Sequence, residues 1–113
     1  MAAVRDIVIL TSVQTQYRSQ FGKYGGSLAE IGPAENSVHA GPWAAGLIPA
    51  SLASGRKDGY SFKIARTPGG YSIHAEPIIF GKTGHRTFYA DQSMMIHQNW
   101  GQEPASADSP EFK

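Results

Sequence analysis

Apolar residues at Val4, Ile7, Leu10, Val13, Tyr17 and Phe21 recur in steps of three and four. That spacing places one buried stripe along an α-helix, since about 3.6 residues complete a turn. Gln14, Gln16, Arg18 and Gln20 fall mostly off the stripe, no Gly or Pro interrupts it, and Gly22 supplies a stop. Residues 1–21 therefore predict a helix roughly 30 Å long at about 1.5 Å per residue. Alternation replaces the helical period after Gly59. Tyr60-Ser61-Phe62-Lys63-Ile64-Ala65 and Tyr71-Ser72-Ile73-His74-Ala75-Glu76 each alternate apolar with polar. Each reads as a half-buried strand. Thr67-Pro68-Gly69-Gly70 between them is a turn, with Pro fixing one φ and Gly accepting a positive one. Tyr60, Phe62, Ile64, Tyr71 and Ile73 share the face expected to meet the helix.

Between these blocks, residues 22–58 predict a connecting αβ-loop with short helices. Ser27-Leu28-Ala29-Glu30 matches a capping box, with Ser as N-cap and Glu three residues on. Gly32-Pro33 ends that helix, and residues 33–42 are a loop of small and polar residues. Leu47, Ile48 and Leu52 sit at helical spacing, with Pro49 as a first helical residue and Gly55 closing the turn. Pro77 ends the second strand. Residues 78–85 form a loop, Arg86–Ala90 a third strand and Met94–Gln98 a fourth, within a sheet region spanning 59–100. Residues 101–113 are rich in Pro, Ser, Ala and acid and predict an extended or mobile end. The whole, 1–113, reads as a single α+β domain: a long N-terminal helix packed on a small antiparallel sheet of about four strands.

Composition narrows the function classes. Net charge is +1, so no global field draws nucleic acid or anionic membrane, and no specific nucleic-acid partner is expected. The charges are unevenly placed, however. Six Lys or Arg lie between Arg56 and Arg86 against Asp58 and Glu76. From Asp91 onward four acids stand against Lys113. A solvated surface is the favoured explanation; contact between copies, basic sheet to acidic tail, is the sharper one and needs other evidence of self-association. There is no cysteine, which excludes a disulfide framework, a thiolate metal site and a Cys nucleophile. Arg5, Asp6 and the glutamines make the helix too polar to span a bilayer. Met1 reads as an added start on a trimmed chain.

Catalytic and metal motifs fail their context tests. His39, His74, His85 and His97 show no H-E-x-x-H spacing, and His74 with Glu76 offers only two ligands on a strand face. Asp91, Ser93 and His97 suggest a triad, but no nucleophile elbow accompanies them and Asp-x-Ser is a common turn. Gly81-Lys82-Thr83 lacks the earlier Gly and the following helix of a phosphate loop. Asp58 and Asp91 do not form the dense oxygen cage that Ca²⁺ needs. The aromatics Tyr17, Phe21, Tyr24, Trp43, Phe62, Tyr71, Phe88 and Tyr89 are expected mostly in the core. No catalytic, cofactor or metal residue is assigned, and no enzyme activity is expected.

Two stretches resemble a known family. AAVRDIVILTSVQTQYRSQFGKYGGSLAEIG is similar to the helix end of a type IV pilin or pseudopilin, the likeness resting on Gln14, Tyr17, Gly22, Tyr24, Ser27 and Leu28. LIPASLASGRKDGYSFKIARTPGGYSIHAEPIIFGKTGHRTFYADQSMMIHQNWG resembles the sheet region of a pilin-like group. There the match rests on Gly59, Tyr60, Phe62, Gly84, Arg86, Phe88, Tyr89, Asp91 and Gln92. The order of the two pieces is that of the family. The apolar N-terminal segment, the leader peptide, the mature Phe and the Glu at the fifth mature position are missing, as is the cysteine pair of many pilins. The expectation is a soluble fragment of a longer subunit.

The resemblance implies a structural subunit that polymerises into a type IV pilus or similar filament, for adhesion, motility or surface interaction. Its partners would be other pilin subunits and, through the missing segment, the inner-membrane assembly machinery. It would be anchored in the inner membrane before assembly and then displayed at the cell surface or in the periplasm. A pseudopilin of a type II-like secretion system is the alternative within the same fold. A small ligand-binding module or enzyme is the alternative outside it. Subunit-contact candidates are Val4, Ile7, Val8, Leu10 and Val13 on the helix, Arg56, Lys57, Lys82 and Arg86 on the basic side, and Asp108 and Glu111 in the acidic tail.

Overall fold

The computed structural model describes residues 2–32, 45–48 and 50–112. The expected loop at 33–42, with His39, and Trp43, Pro49, Met1 and Lys113 lie outside the described residues. Helix α1 runs Ala2–Phe21, as its apolar period requires. It ends where Gly22 turns to φ +77° and its N–H bonds the Arg18 carbonyl at 2.8 Å. That is a glycine C-cap in the left-handed region, which a residue bearing a Cβ adopts only with strain.

Helix α2 (Leu28–Ile31) starts as the capping box foretells. Ser27 Oγ accepts from the Glu30 N–H at 3.3 Å. The Glu30 carboxylate in turn accepts from the Gly26 N–H at 2.9 Å, one residue before the cap. Residues 45–48 then lie along the end of α2, with the Leu47 N–H bonded to the Ile31 carbonyl at 2.9 Å. Helix α3 (Ala50–Ala53) follows. Ile31, Ile48 and Leu52 are buried together beside α1.

The sheet has five antiparallel strands in chain order, not four: β1 (Arg56–Lys57), β2 (Tyr60–Thr67), β3 (Gly70–Pro77), β4 (Arg86–Asp91) and β5 (Ile96–Trp100). The extra strand, β1, falls in the expected connecting loop, and two residues are too few to show alternation. It pairs Arg56 with Ser61 and Lys57 with Tyr60 across a turn in which Asp58 and Gly59 both take positive φ. β2 and β3 register Phe62 against Ala75 and Ile64 against Ile73, closing over Pro68-Gly69 with Gly69 at φ +80°. β5 begins and ends two residues later than its sequence suggests, because Met94 turns to φ +68° and breaks the strand before Ile96.

One face of this sheet meets α1. Tyr60, Phe62, Ile64, Tyr71, Ile73, Ala75, Phe88 and Ala90 are buried against Ala3, Ile7, Leu10, Val13 and Tyr17. Gln14 contradicts its assignment to the polar side: it is fully buried. Its amide Nε2 donates to the Gly25 carbonyl at 2.9 Å and its Oε1 accepts from the Gly25 N–H at 2.7 Å. Both polar groups of one glycine are thereby satisfied inside the core, which fixes the chain reversal after α1.

The tail is attached to the sheet, which its composition did not suggest. After β5 the chain returns along that strand. The Gln98 N–H bonds the Pro110 carbonyl at 2.8 Å, the Phe112 N–H bonds the Ile96 carbonyl at 2.6 Å, and His97 bridges Glu111. The Phe112 ring meets Phe88 edge-on at 6.0 Å, and Ala105 is buried. Thr87, itself buried, donates its hydroxyl to the Glu103 carbonyl at 2.7 Å. The acidic, proline-containing composition hid an edge cover for the sheet.

Candidate functional site

A helix with one face on a sheet presents the other outward. On α1 that outer face carries Arg5, Val8, Ile9, Ser12, Thr15, Gln16 and Ser19. It is apolar near the start, where Val8 is 48% and Ile9 40% exposed, and polar toward the end. Of the five helix residues expected to serve both core and contact, the structure buries Ile7, Leu10 and Val13 and half-buries Val4. Val8 is free for contact, and the pattern reading passed over Ile9 beside it.

The basic candidates divide in the same way. Lys57 is held within the chain, its Nζ 3.2 Å from Asp6 Oδ1 on α1 and 2.9 Å from Asp58 Oδ2. Asp6 is buried, and its Oδ2 has no hydrogen-bond partner. Burial pushes its carboxyl above the usual range, as does the neighbouring Asp58, while Lys57 pulls the other way. The hydrogen bond from Lys57, and after it the neighbouring Asp6, hold Asp58 below its ordinary value. Bonds to Asp58 and Asp6 raise Lys57. These three groups clasp β1 to α1.

Arg86 is likewise engaged. Its guanidinium lies 4.5 Å from the centre of the Trp100 ring, 5.2 Å from Phe88 and 5.3 Å from Phe112, and it donates to Gln98 Oε1 at 2.8 Å. It joins β4, β5 and the tail. Arg56 and Lys82 are exposed, as are Asp108 and Glu111.

The triad residues do turn work. Asp91 Oδ1 accepts from the Ser93 N–H at 2.9 Å and its Oδ2 from the Tyr89 hydroxyl at 3.1 Å. Ser93 Oγ accepts from the Met95 N–H at 3.3 Å, and His97 Nδ1 sits 2.8 Å from the Ser109 carbonyl. Burial alone would raise Asp91, but the bonds from Ser93 and Tyr89 outweigh it and hold the carboxylate below its usual value. His74 packs its ring on Tyr89 at 5.1 Å, and Tyr89 on His97 at 6.0 Å, forming a cross-strand row on the outer sheet face. Among the described residues no group of three or more His, Asp or Glu is placed to hold a metal ion.

A group of cations from separate parts of the fold was not legible as a site in the sequence. Arg18 at the end of α1, Lys23 in the following turn and Arg66 near the end of β2 line one open notch of about 230 Å³. Tyr24, Thr67 and glycines 22, 69 and 70 complete its walls. Arg18 lies 5.1 Å from the Tyr24 ring centre and donates to its hydroxyl at 3.3 Å. Register shows why sequence missed it: Arg66 faces the helix side of β2, one step beyond the core residue Ile64.

Comparison with protein-family models, with curated proteins and with solved structures returns no match. Among the described residues no helix is long and apolar enough to cross a membrane.

Proposed function

We propose that this chain is the globular region of a type IV pilin-like subunit, acting by self-assembly into a filament. The observation that carries the reading is the state of α1. One face is buried along an antiparallel sheet, while the opposite face exposes Val8 and Ile9 near the N-terminal end. An upstream apolar continuation of that helix would anchor the subunit in the inner membrane and later pack in a helical bundle. Val8 and Ile9 would then extend the bundle's apolar surface into this domain. The sheet's outer face and its loops would face away from the bundle, at the cell surface or in the periplasm. The same geometry would serve a pseudopilin of a secretion system; abundance and neighbouring genes distinguish the two.

Mass spectrometry of the mature N-terminus of the native protein, with the coding sequence upstream of Ala2, tests the proposal. The expected result is a methylated Phe, a Glu at the fifth position and about twenty apolar residues, enough to span a bilayer. A native chain starting at Met1 would remove the physical basis for export and assembly.

A further inference from the structure

We propose that the notch formed by Arg18, Lys23 and Arg66 receives the acidic tail of a second copy of this chain. The inference rests on the filament reading and deepens it by naming a contact. Three cations from α1, the turn after it and β2 line the notch, and no acid is among its lining residues. All three side chains are exposed, and none forms an ion pair among the described residues. The nearby Glu30 carboxylate is turned to the Gly26 N–H. An anion entering this open depression would meet three cations and no acid.

The complementary surface is on the same chain but out of reach. Glu103, Asp108 and Glu111 are exposed, and none is ion-paired among the described residues. The tail lies beyond β5, whereas Arg66 is on β2. Four strand spacings separate them, roughly 19 Å at about 4.8 Å each. The tail is also pinned to β5 by the Pro110 and Phe112 backbone bonds, so its acids cannot swing to their own notch. They are held rigidly where a neighbour can meet them. Two different patches joining in this way make a heterologous contact, which propagates into a filament wherever its rotation does not close a ring. The structure also moves the basic half of the contact away from Lys57 and Arg86, whose charges serve the fold.

Because the chain has no cysteine, paired replacements report the contact cleanly. Lys23→Cys and Asp108→Cys, both at exposed positions, are introduced separately into the full native chain and the two proteins are mixed under mild oxidation. Mixed disulfide dimers are expected to exceed dimers of either variant alone. The excess should fall in about 1 M salt, where charges are screened within about 3 Å. Placing both cysteines on one chain should yield a ladder of covalent multimers. Lys23→Glu is expected to suppress cross-linking between Arg66→Cys and Asp108→Cys chains, and Glu111→Lys on the partner to restore part of it. Equal yields in all mixtures, or no response to charge reversal, overturn the proposal.

Protection of Lys23→Cys by short duplex DNA but not by the second copy would also overturn it, assigning the notch to a nucleic acid. Failure here is separable from failure of the filament reading. Filaments that form unchanged with Lys23→Glu sink the contact alone. Cross-linking in a native chain that lacks an upstream apolar helix sinks the filament reading alone.

Discussion

Gln14 sits in a helix that sequence reading divides into an apolar and a polar side, and it does not respect the division. Its amide answers both backbone groups of Gly25, so truncation would strand a buried donor and acceptor and leave a hole. Gln14→Ala is expected to destabilise the domain by about 2–4 kcal/mol, the range for a lost buried hydrogen-bonding group plus a cavity. Urea unfolding measures it, and a loss below about 0.5 kcal/mol, typical of a surface change, would show the pairing to be dispensable. Asp6 gives a prediction in pH. Its folded carboxyl titrates above the unfolded one, so the stability it lends is complete below about pH 3.9 and is lost as pH rises through the folded value. Asp58 runs the other way: its folded value is lowered, so its contribution is present above about pH 3.9 and lost as pH falls. Asp6→Asn should therefore flatten the decline of stability as pH rises above about 3.9 while leaving the acid-side loss in place. Unfolding curves across that interval test the sign. A decline as steep in the variant as in the parent would assign it to other groups.

The elements were legible wherever a period ran long enough to be counted. Helix α1 and the β2–β3 hairpin follow from spacing, and Gly22 and Pro68-Gly69 mark their ends because those positions require particular φ values. The short and the irregular were not legible. β1 has two residues and no alternation, and the positive φ of Met94 shifts β5 without any glycine to announce it. The attachment of the tail was not legible because Pro, Ser and acid describe its solvent side, whereas Phe112, Ala105 and three backbone carbonyls do the attaching. The notch was illegible for a related reason, since its cations are far apart in sequence and meet only once β2 is registered against α1. The tail carries its own test. Phe112 is half-buried against Phe88 and Arg86, so Phe112→Ala is expected to cost about 1–2 kcal/mol, less than the loss of a fully buried Phe. The amides of Gln98 and Phe112 should lose hydrogen-exchange protection together, while β2 and β3 keep theirs. Protection unchanged at Gln98 would show that the tail holds without its ring.

For the molecule as a whole, the decisive division is between helix residues that hold the domain together and those that are exposed to water. The two kinds alternate along α1 within a single turn. Ile7 and Leu10 are buried on the sheet, and between them Val8 and Ile9 present apolar surface to water. Exposed apolar surface contributes nothing to folding until something covers it, at roughly 25 cal/mol per Å² removed from water. A subunit that assembles through this face should thus tolerate polar residues there as a folded monomer and fail only as a polymer. Val8→Gln together with Ile9→Gln keeps helix propensity nearly constant. The double variant is expected to unfold within about 0.5 kcal/mol of the parent while the full native chain carrying it assembles poorly or not at all. Leu10→Gln should do the opposite, damaging the fold itself. Unfolding midpoints read one effect, and recovery of sheared polymer from cells producing the native chain reads the other. Filament yield unchanged by the double variant would remove the outer face of α1 from the assembly surface. The claim that this helix serves two partners at once, its own sheet and the next subunit, would fall with it.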